Sequence, residues 1–382
     1  METEISAAGA VARVASAGAA PAARAATTRT AVSATAAMTS ARALIEVHGI
    51  AGARRRSPPT TAYHRRMRDT LTRGRLAEHP LWSRALGSAD LHARAILPVV
   101  VSSAVEDRER VPEATWLERF SITELVREAR AAASAGIAGF LLFGVSDRKD
   151  ETAMLASERD HVVPRAIHAV KEAVPDLAVA TDVCVCAYTA HGQCVLFGAD
   201  GADAPATLER LGAIARVHAE AGADLLIPSG MLEGSVRAVR AAVSDDGHAD
   251  VPVAAMAKLE SHLYALHRHA VSAIPITERA VPLLPTDDAE ATRARAVRDL
   301  ASGADAVVVK PGAPTLDIVA LLAASADRPL ISYFTSDEHA FLVAGSEGVT
   351  DPTVAERELV AAARRAGAAL VITYGAFALA SS

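Results

Sequence analysis

From about residue 90 onward, short apolar runs alternate with longer amphipathic stretches, and this alternation leaves few folds open. Eight runs qualify as strands: 96–101, 139–145, 177–183, 224–229, 251–257, 306–310, 329–334 and 370–374. Continuous apolar runs of this length fit parallel strands buried on both faces. Helical spacing is read over 122–135, 164–174, 206–221, 291–302 and 353–366. Four of the linkers place a glycine just before the next run, at Gly136, Gly222, Gly303 and Gly367. A left-handed helix C-cap is the conformation glycine supplies there. Eight such units in roughly 290 residues match an α/β chain folded as a (β/α)8 TIM barrel. An open α/β sheet is the alternative, because periodicity does not show closure.

In a barrel of this kind, chemistry sits where strands run out into the following loops. The polar residues at those ends are Asp182, Ser229, Lys258, Lys310, Ser336 and Tyr374. Lysine usage singles out two of them. The chain has 39 basic residues, and lysine occurs only at Lys149, Lys171, Lys258 and Lys310. A chain this biased to arginine keeps lysine where arginine cannot substitute. Lys149, in a charged loop, and Lys171, in a helical stretch, read as solvated surface residues. Lys258 and Lys310 each close an apolar run. An amine buried this way is driven toward its neutral form, and a neutral amine near another cation attacks a carbonyl. Buried salt bridges or phosphate contacts are the competing reading.

All three cysteines lie within one short window, at Cys184, Cys186 and Cys194. In an extended segment Cys184 and Cys186 project from the same face, and the loop through His191 and Gly192 is long enough to return Cys194 to them. Three thiolates suit zinc and leave a fourth position for water or substrate. The alternative is three small buried hydrophobes. Arg268 and Arg279, after the fifth run, offer bidentate forks for a carboxylate.

Residues 1–70 differ in texture: rich in Ala, Ser, Thr and Arg, poor in acids, without sustained periodicity. They read as a disordered or partner-wrapping arm in preference to an organelle transit peptide. Residues 71–382 form the catalytic barrel. A net charge of -6 argues against nucleic acid as a partner, and no run is long and apolar enough to suggest a membrane span. An odd, small number of cysteines points to reduced thiols and a cytoplasmic location.

The motifs resemble those of the porphobilinogen synthase (5-aminolevulinate dehydratase) family over about residues 73–378. The residues that carry the resemblance are His79-Pro-Leu, Leu142-Phe-Gly-Val145, Thr181-Asp-Val-Cys-Val-Cys-Ala-Tyr-Thr-Ala-His-Gly-Gln-Cys194, Pro228-Ser229, Ala257-Lys258, Gly303-Ala-Asp-Ala-Val-Val-Val-Lys-Pro311 and Ile372-Thr-Tyr374. The resemblance implies a lyase of haem and porphyrin biosynthesis that joins two 5-aminolevulinate molecules into porphobilinogen with loss of water. It further implies a homo-octamer whose N-terminal arms embrace neighbours. Lys310 would hold the first, P-side, substrate as a Schiff base and Lys258 the second, A-side, one. Cys184, Cys186 and Cys194 would bind Zn2+, with Mg2+ a candidate additional allosteric ion. Asp182 and Ser229 would assist proton transfer, Ser336 and Tyr374 would take the P-side carboxylate, and Arg268 and Arg279 the A-side one.

The chain also departs from the family pattern. Ser-Asp-Met-Met-Asp-Gly-Arg becomes Ser229-Gly-Met-Leu-Glu-Gly-Ser235, so the acid after the serine is lost. Phe-Tyr-Gly-Pro-Phe-Arg-Asp becomes Leu263-Tyr-Ala-Leu-His-Arg-His269, and a Tyr and Gln after the second arginine are Pro282 and Leu283. The tyrosine after Lys-Pro-Gly-x-Pro is Thr315. Three functions follow as expectations: a working porphobilinogen synthase, a paralogue condensing 5-aminolevulinate with a different carbonyl compound, or a non-catalytic zinc-holding barrel. Retention of both lysines argues against the third. A class I aldolase needs one lysine and no thiolate zinc, and ranks below these.

Overall fold

The computed structural model describes residues 73–380, so residues 1–70 lie outside the described part. The strands are β1 (Ala95–Ser102), β2 (Arg108–Val111), β3 (Ala114–Phe120), β4 (Gly139–Val145), β5 (Ala178–Val183), β6 (Leu196–Gly198), β7 (Gly201–Asp203), β8 (Leu225–Pro228), β9 (Ala254–Lys258), β10 (Ala306–Lys310), β11 (Leu330–Tyr333) and β12 (Leu370–Ile372). Eight of them pair in parallel in the order β8-β5-β4-β1-β12-β11-β10-β9. The ends of that path meet at one parallel bridge, Leu226 with Val253, where the Leu226 N–H donates to the Pro252 carbonyl at 3.0 Å. The sheet is therefore a (β/α)8 barrel, joined along one thin seam. Gly136, Gly222, Gly303 and Gly367 all take positive φ, at 71°, 100°, 101° and 120°.

Alternation along each strand decides what fills the barrel. In β10, Val307 and Val309 pack outward with the helices, while Ala306 and Val308 belong to the interior cluster. In β9, Ala255 and Ala257 face out and Ala254 and Met256 face in. The same parity carries Lys258 and Lys310 inward, one step above these interior residues, and Asp182 above Ala178 and Ala180 of β5. Each fully buried apolar side chain contributes on the order of 1.5–3 kcal/mol, which is what supports polar groups at the top of the barrel.

Two antiparallel hairpins lie outside the eight-strand alternation. One pairs β6 with β7; the other pairs β2 with β3, and β3 adds to β1 beside the mouth. The helix Ser336–Ser346 begins with a capping box between Thr335 and Glu338. Glu338 also accepts from the amides of Gly312 (3.0 Å) and Ala313 (2.7 Å), which ties the loop after Lys310 to that helix. Among the described residues, no helix is long and apolar enough to cross a membrane. Lys171 departs from a solvated surface role: its Nζ bonds Asp224 Oδ2 at 2.8 Å, and the same carboxylate oxygen accepts from the Val179 amide.

Candidate active site

Lys258 and Lys310 are register partners on β9 and β10, buried to 8% and 6% exposure. They share the wall of a cavity at the C-terminal mouth with Asp182, Ser229, the three cysteines, Tyr264, His267, Arg268 and Tyr333. Lys258 Nζ donates to the Ser229 carbonyl at 3.0 Å. Lys310 Nζ instead sits over ring faces, 4.1 Å from the Tyr333 centroid and 5.1 Å from that of Tyr264. Burial, reinforced by the charge of Lys258 and opposed by Asp182, lowers the Lys310 pKa to about 7. Asp182 moves the other way, to about 6, because burial outweighs its hydrogen bond from Ser229 and the two lysine charges. Near neutral pH the site thus holds an amine and a carboxylate that each titrate close to the working range.

The three cysteines are free thiols, and their sulfurs all lie within 4.8 Å of one another. Thiolates around a tetrahedral zinc stand about 3.8 Å apart, so this donor set fits such an ion. Hydrogen bonds from Cys184 and Cys186 hold Cys194 well below its ordinary value, with Lys258 and Arg268 adding to the effect. Gly192 lets the returning loop pass close to Ile274: its φ is +64°, and a Cβ there would lie 2.5 Å from the Ile274 carbonyl oxygen. Gly230 stands where the family pattern has an acid, and a Cβ there would meet Cys194 Cβ and O at 3.1 Å.

A short helix, Ala265–Ala270, covers the mouth and carries His267 and Arg268. Its first amides are held from below: Ala265 and Leu266 donate to Asp337 at 3.1 and 3.2 Å, and His267 donates to Ser336 Oγ at 3.1 Å. Its last carbonyls are held by Arg119 from β3, which bonds His269 O and Ala270 O, each at 2.8 Å. An acid at the amide end and a cation at the carbonyl end match the helix dipole. Arg268 lies on the cavity wall and also borders a second, smaller cavity shared with Lys258 and Arg279.

The structure therefore gathers Lys310, Lys258, Asp182, Ser229, Cys184, Cys186, Cys194 and Arg268 on one cavity, with Arg279 in the adjoining one. Ser336 and Tyr374 do not line that cavity; Ser336 is fully buried. Tyr374 Oη lies 3.1 Å from His267 Nδ1. Sequence reasoning assigned no role to Tyr333, at the end of β11, or to Tyr264 and His267, which it noted only as part of the altered stretch 263–269. It also missed Gln193, whose side-chain amide donates to Glu278 O at 2.8 Å and so ties the cysteine loop to the segment bearing Arg279.

Fold and site together define a (β/α)8-barrel enzyme with an amine, carboxylate and thiol centre at its strand C-termini. Residues 70–382 match the family model described as delta-aminolevulinic acid dehydratase. The delta-aminolevulinic acid dehydratase of Escherichia coli K12 is 35% identical over 288 residues, covering 75% of this chain and 89% of that protein. That of Streptomyces coelicolor is 34% identical over 309 residues, covering 79% and 94%. The crystal structure of the Toxoplasma gondii ME49 enzyme, in complex with the reaction product porphobilinogen, superposes with a TM-score of 0.73 at 30% identity, covering 81% of this chain and 90% of that one. The chain belongs to the delta-aminolevulinic acid dehydratase family and is a lyase, and membership of this family suggests a metal cofactor.

Proposed function

We propose that this barrel is a porphobilinogen synthase, condensing two 5-aminolevulinate molecules through imines on Lys310 and Lys258 with loss of water. The observation that carries the reading is the pair of lysine amines on register-partner positions facing one cavity. A pKa of about 7 leaves a large neutral fraction of Lys310 at physiological pH. That amine attacks the ketone, and the carbonyl oxygen leaves as water when the C=N bond forms. Lys258 does the same for the second substrate, its amine first leaving the Ser229 carbonyl. Asp182, bonded to Ser229, moves protons between the two halves. Arg268 and Arg279 hold the carboxylate of the Lys258-bound substrate. Cys184, Cys186 and Cys194 would hold Zn2+, which would supply Lewis-acid chemistry there. The same reading carries assembly into a homo-oligomer, measurable by sedimentation.

The test is to incubate the protein with 5-aminolevulinate and zinc, detect porphobilinogen with an aldehyde reagent, and trap imines with borohydride. Product formation with adducts at both lysines supports the reading; absence of adducts at either lysine overturns it. A second reading, a different carbonyl compound on Lys258, is favoured by the altered Leu263–His269 and Pro282–Leu283 stretches. Trapping at Lys310 alone, without porphobilinogen, decides for it.

A further inference from the structure

Two arginines beside the covering helix differ in how far their guanidinium groups are committed. Arg268, which shares the smaller cavity with Lys258, donates from Nη1 to the Ala273 carbonyl at 3.1 Å. Its Nε is buried and has no hydrogen-bond partner among the described residues. A buried donor left unpaired carries a desolvation cost that an incoming carboxylate removes. Arg119, on β3, has every nitrogen engaged: Nη1 by Glu109 at 3.0 Å, Nε by the Ala270 carbonyl, and Nη2 by the His269 carbonyl and, at 3.1 Å, Ser272 Oγ. The two arginines are linked through Ser272 and Ala273. The Ala273 amide donates to the Arg268 carbonyl at 2.9 Å, so Ala273 holds Arg268 by its backbone and by its side chain. Ser272 sits in the left-handed region, at φ 52°. A serine keeps that conformation where its surroundings enforce it. Here Arg119 bonds its hydroxyl, and Lys149, from the loop after β4, donates to its carbonyl.

We propose that Arg119 is a positioning residue for the second substrate, with Lys149 as its partner: by fixing Ser272 they hold the Ala273 carbonyl where it aims the free edge of Arg268 into the Lys258 half. The proposal rests on the reading that Lys258 forms an imine and that Arg268 takes the carboxylate of that ketone. Neither Arg119 nor Lys149 lines either cavity, so both act through Arg268 and not by touching the substrate. The role also accounts for a lysine at position 149, in a chain that keeps only four.

The test uses levulinate and its uncharged methyl ester as probes. Each is titrated into the full chain and trapped with borohydride, and the adducts at Lys258 and Lys310 are quantified separately by peptide mass. Arg119→Met is expected to raise the half-saturating levulinate concentration at Lys258 about tenfold. The ester at Lys258, which offers Arg268 no carboxylate, and levulinate at Lys310 are expected to stay within about twofold. Arg119→Lys, which keeps the charge but not the fork, should recover part of the loss. Lys149→Met should show the same pattern at about threefold, and it carries the test alone if Arg119→Met does not fold. Melting curves matched to the unaltered protein show which variants are folded. A loss of equal size for the ester, or at Lys310, overturns the proposal, because the two cations would then merely support the fold. So does unchanged levulinate trapping in both Met variants. An unaltered protein that takes both ketones equally at Lys258 overturns the role of Arg268, and failure to trap either ketone at Lys258 sinks the imine reading; the proposal falls with each.

Discussion

Lys258 and Lys310 occupy equivalent positions on adjacent strands, yet their amines end in different chemistry. Lys310 points into a half walled by Tyr264 and Tyr333, where its amine sits over ring faces. Lys258 ends on a backbone carbonyl, in a half crowded with Asp182, three thiols and two arginines. The difference teaches that a strand position delivers a side chain to the site, while the groups meeting its tip decide what it does there. Burial lowers the pKa of one amine to about 7; the other is docked on a backbone carbonyl.

The sharpest way to break this comparison is to remove each amine in turn. Lys310→Met is expected to lower porphobilinogen formation by about 10³-fold or more, measured by the aldehyde assay. Lys258→Met should also stop product but leave the borohydride adduct at Lys310. If the Lys310 adduct vanishes with Lys258, the halves are not separable. Next in size, Cys194→Ser should lower bound zinc per chain and reduce turnover by about 10²-fold, again with trapping at Lys310 retained. Elemental analysis and trapping of the same sample read both.

A third contrast concerns stability. The Lys310 pKa falls from 10.5 to about 7 on folding, so the folded state holds fewer protons between those values. Stability therefore climbs as pH rises through that window, and the burden is full below pH 7. Lys310→Met relieves on the order of a few kcal/mol at pH 7, raising the melting temperature by a few degrees. Lys258→Met, which leaves the Ser229 carbonyl without its donor, should not. Smallest of all, the pH midpoint for trapping at Lys310 is expected near 7 and should move upward in Lys258→Met, because the neighbouring positive charge is gone.

Much of the barrel was legible in sequence because its strands are apolar runs with sharp ends. The 139–145 and 306–310 runs coincide with β4 and β10. The fifth run, 251–257, begins three residues before β9, since Pro252 lacks the N–H that a ladder requires and Val253 makes only the seam bridge. The β2–β3 hairpin escaped because Arg108-Glu-Arg carries no apolar signal, and its partner strand is half exposed. Lysine scarcity and cysteine clustering marked the centre of the site. His267 could not be weighed in the same way: a single histidine between a leucine and an arginine has no pattern, and its meaning lies in reaching Ser336 and Tyr374, 69 and 107 residues away.

The seam between β8 and β9 has a consequence for how the barrel responds to occupancy. Seven register pairs join β1 to β4, but one bridge joins Leu226 to Val253. Ser229 sits just past one lip of that seam and Lys258 at the end of the other. The Lys258 amine spans that gap to the Ser229 carbonyl, and a molecule bound covalently to Lys258 and held at Ser229 replaces this single hydrogen bond with a firmer link. Filling the Lys258 half would then slow amide exchange along β9 more than along β1, and the weakest joint of the cylinder becomes the one most strengthened by its own ligand.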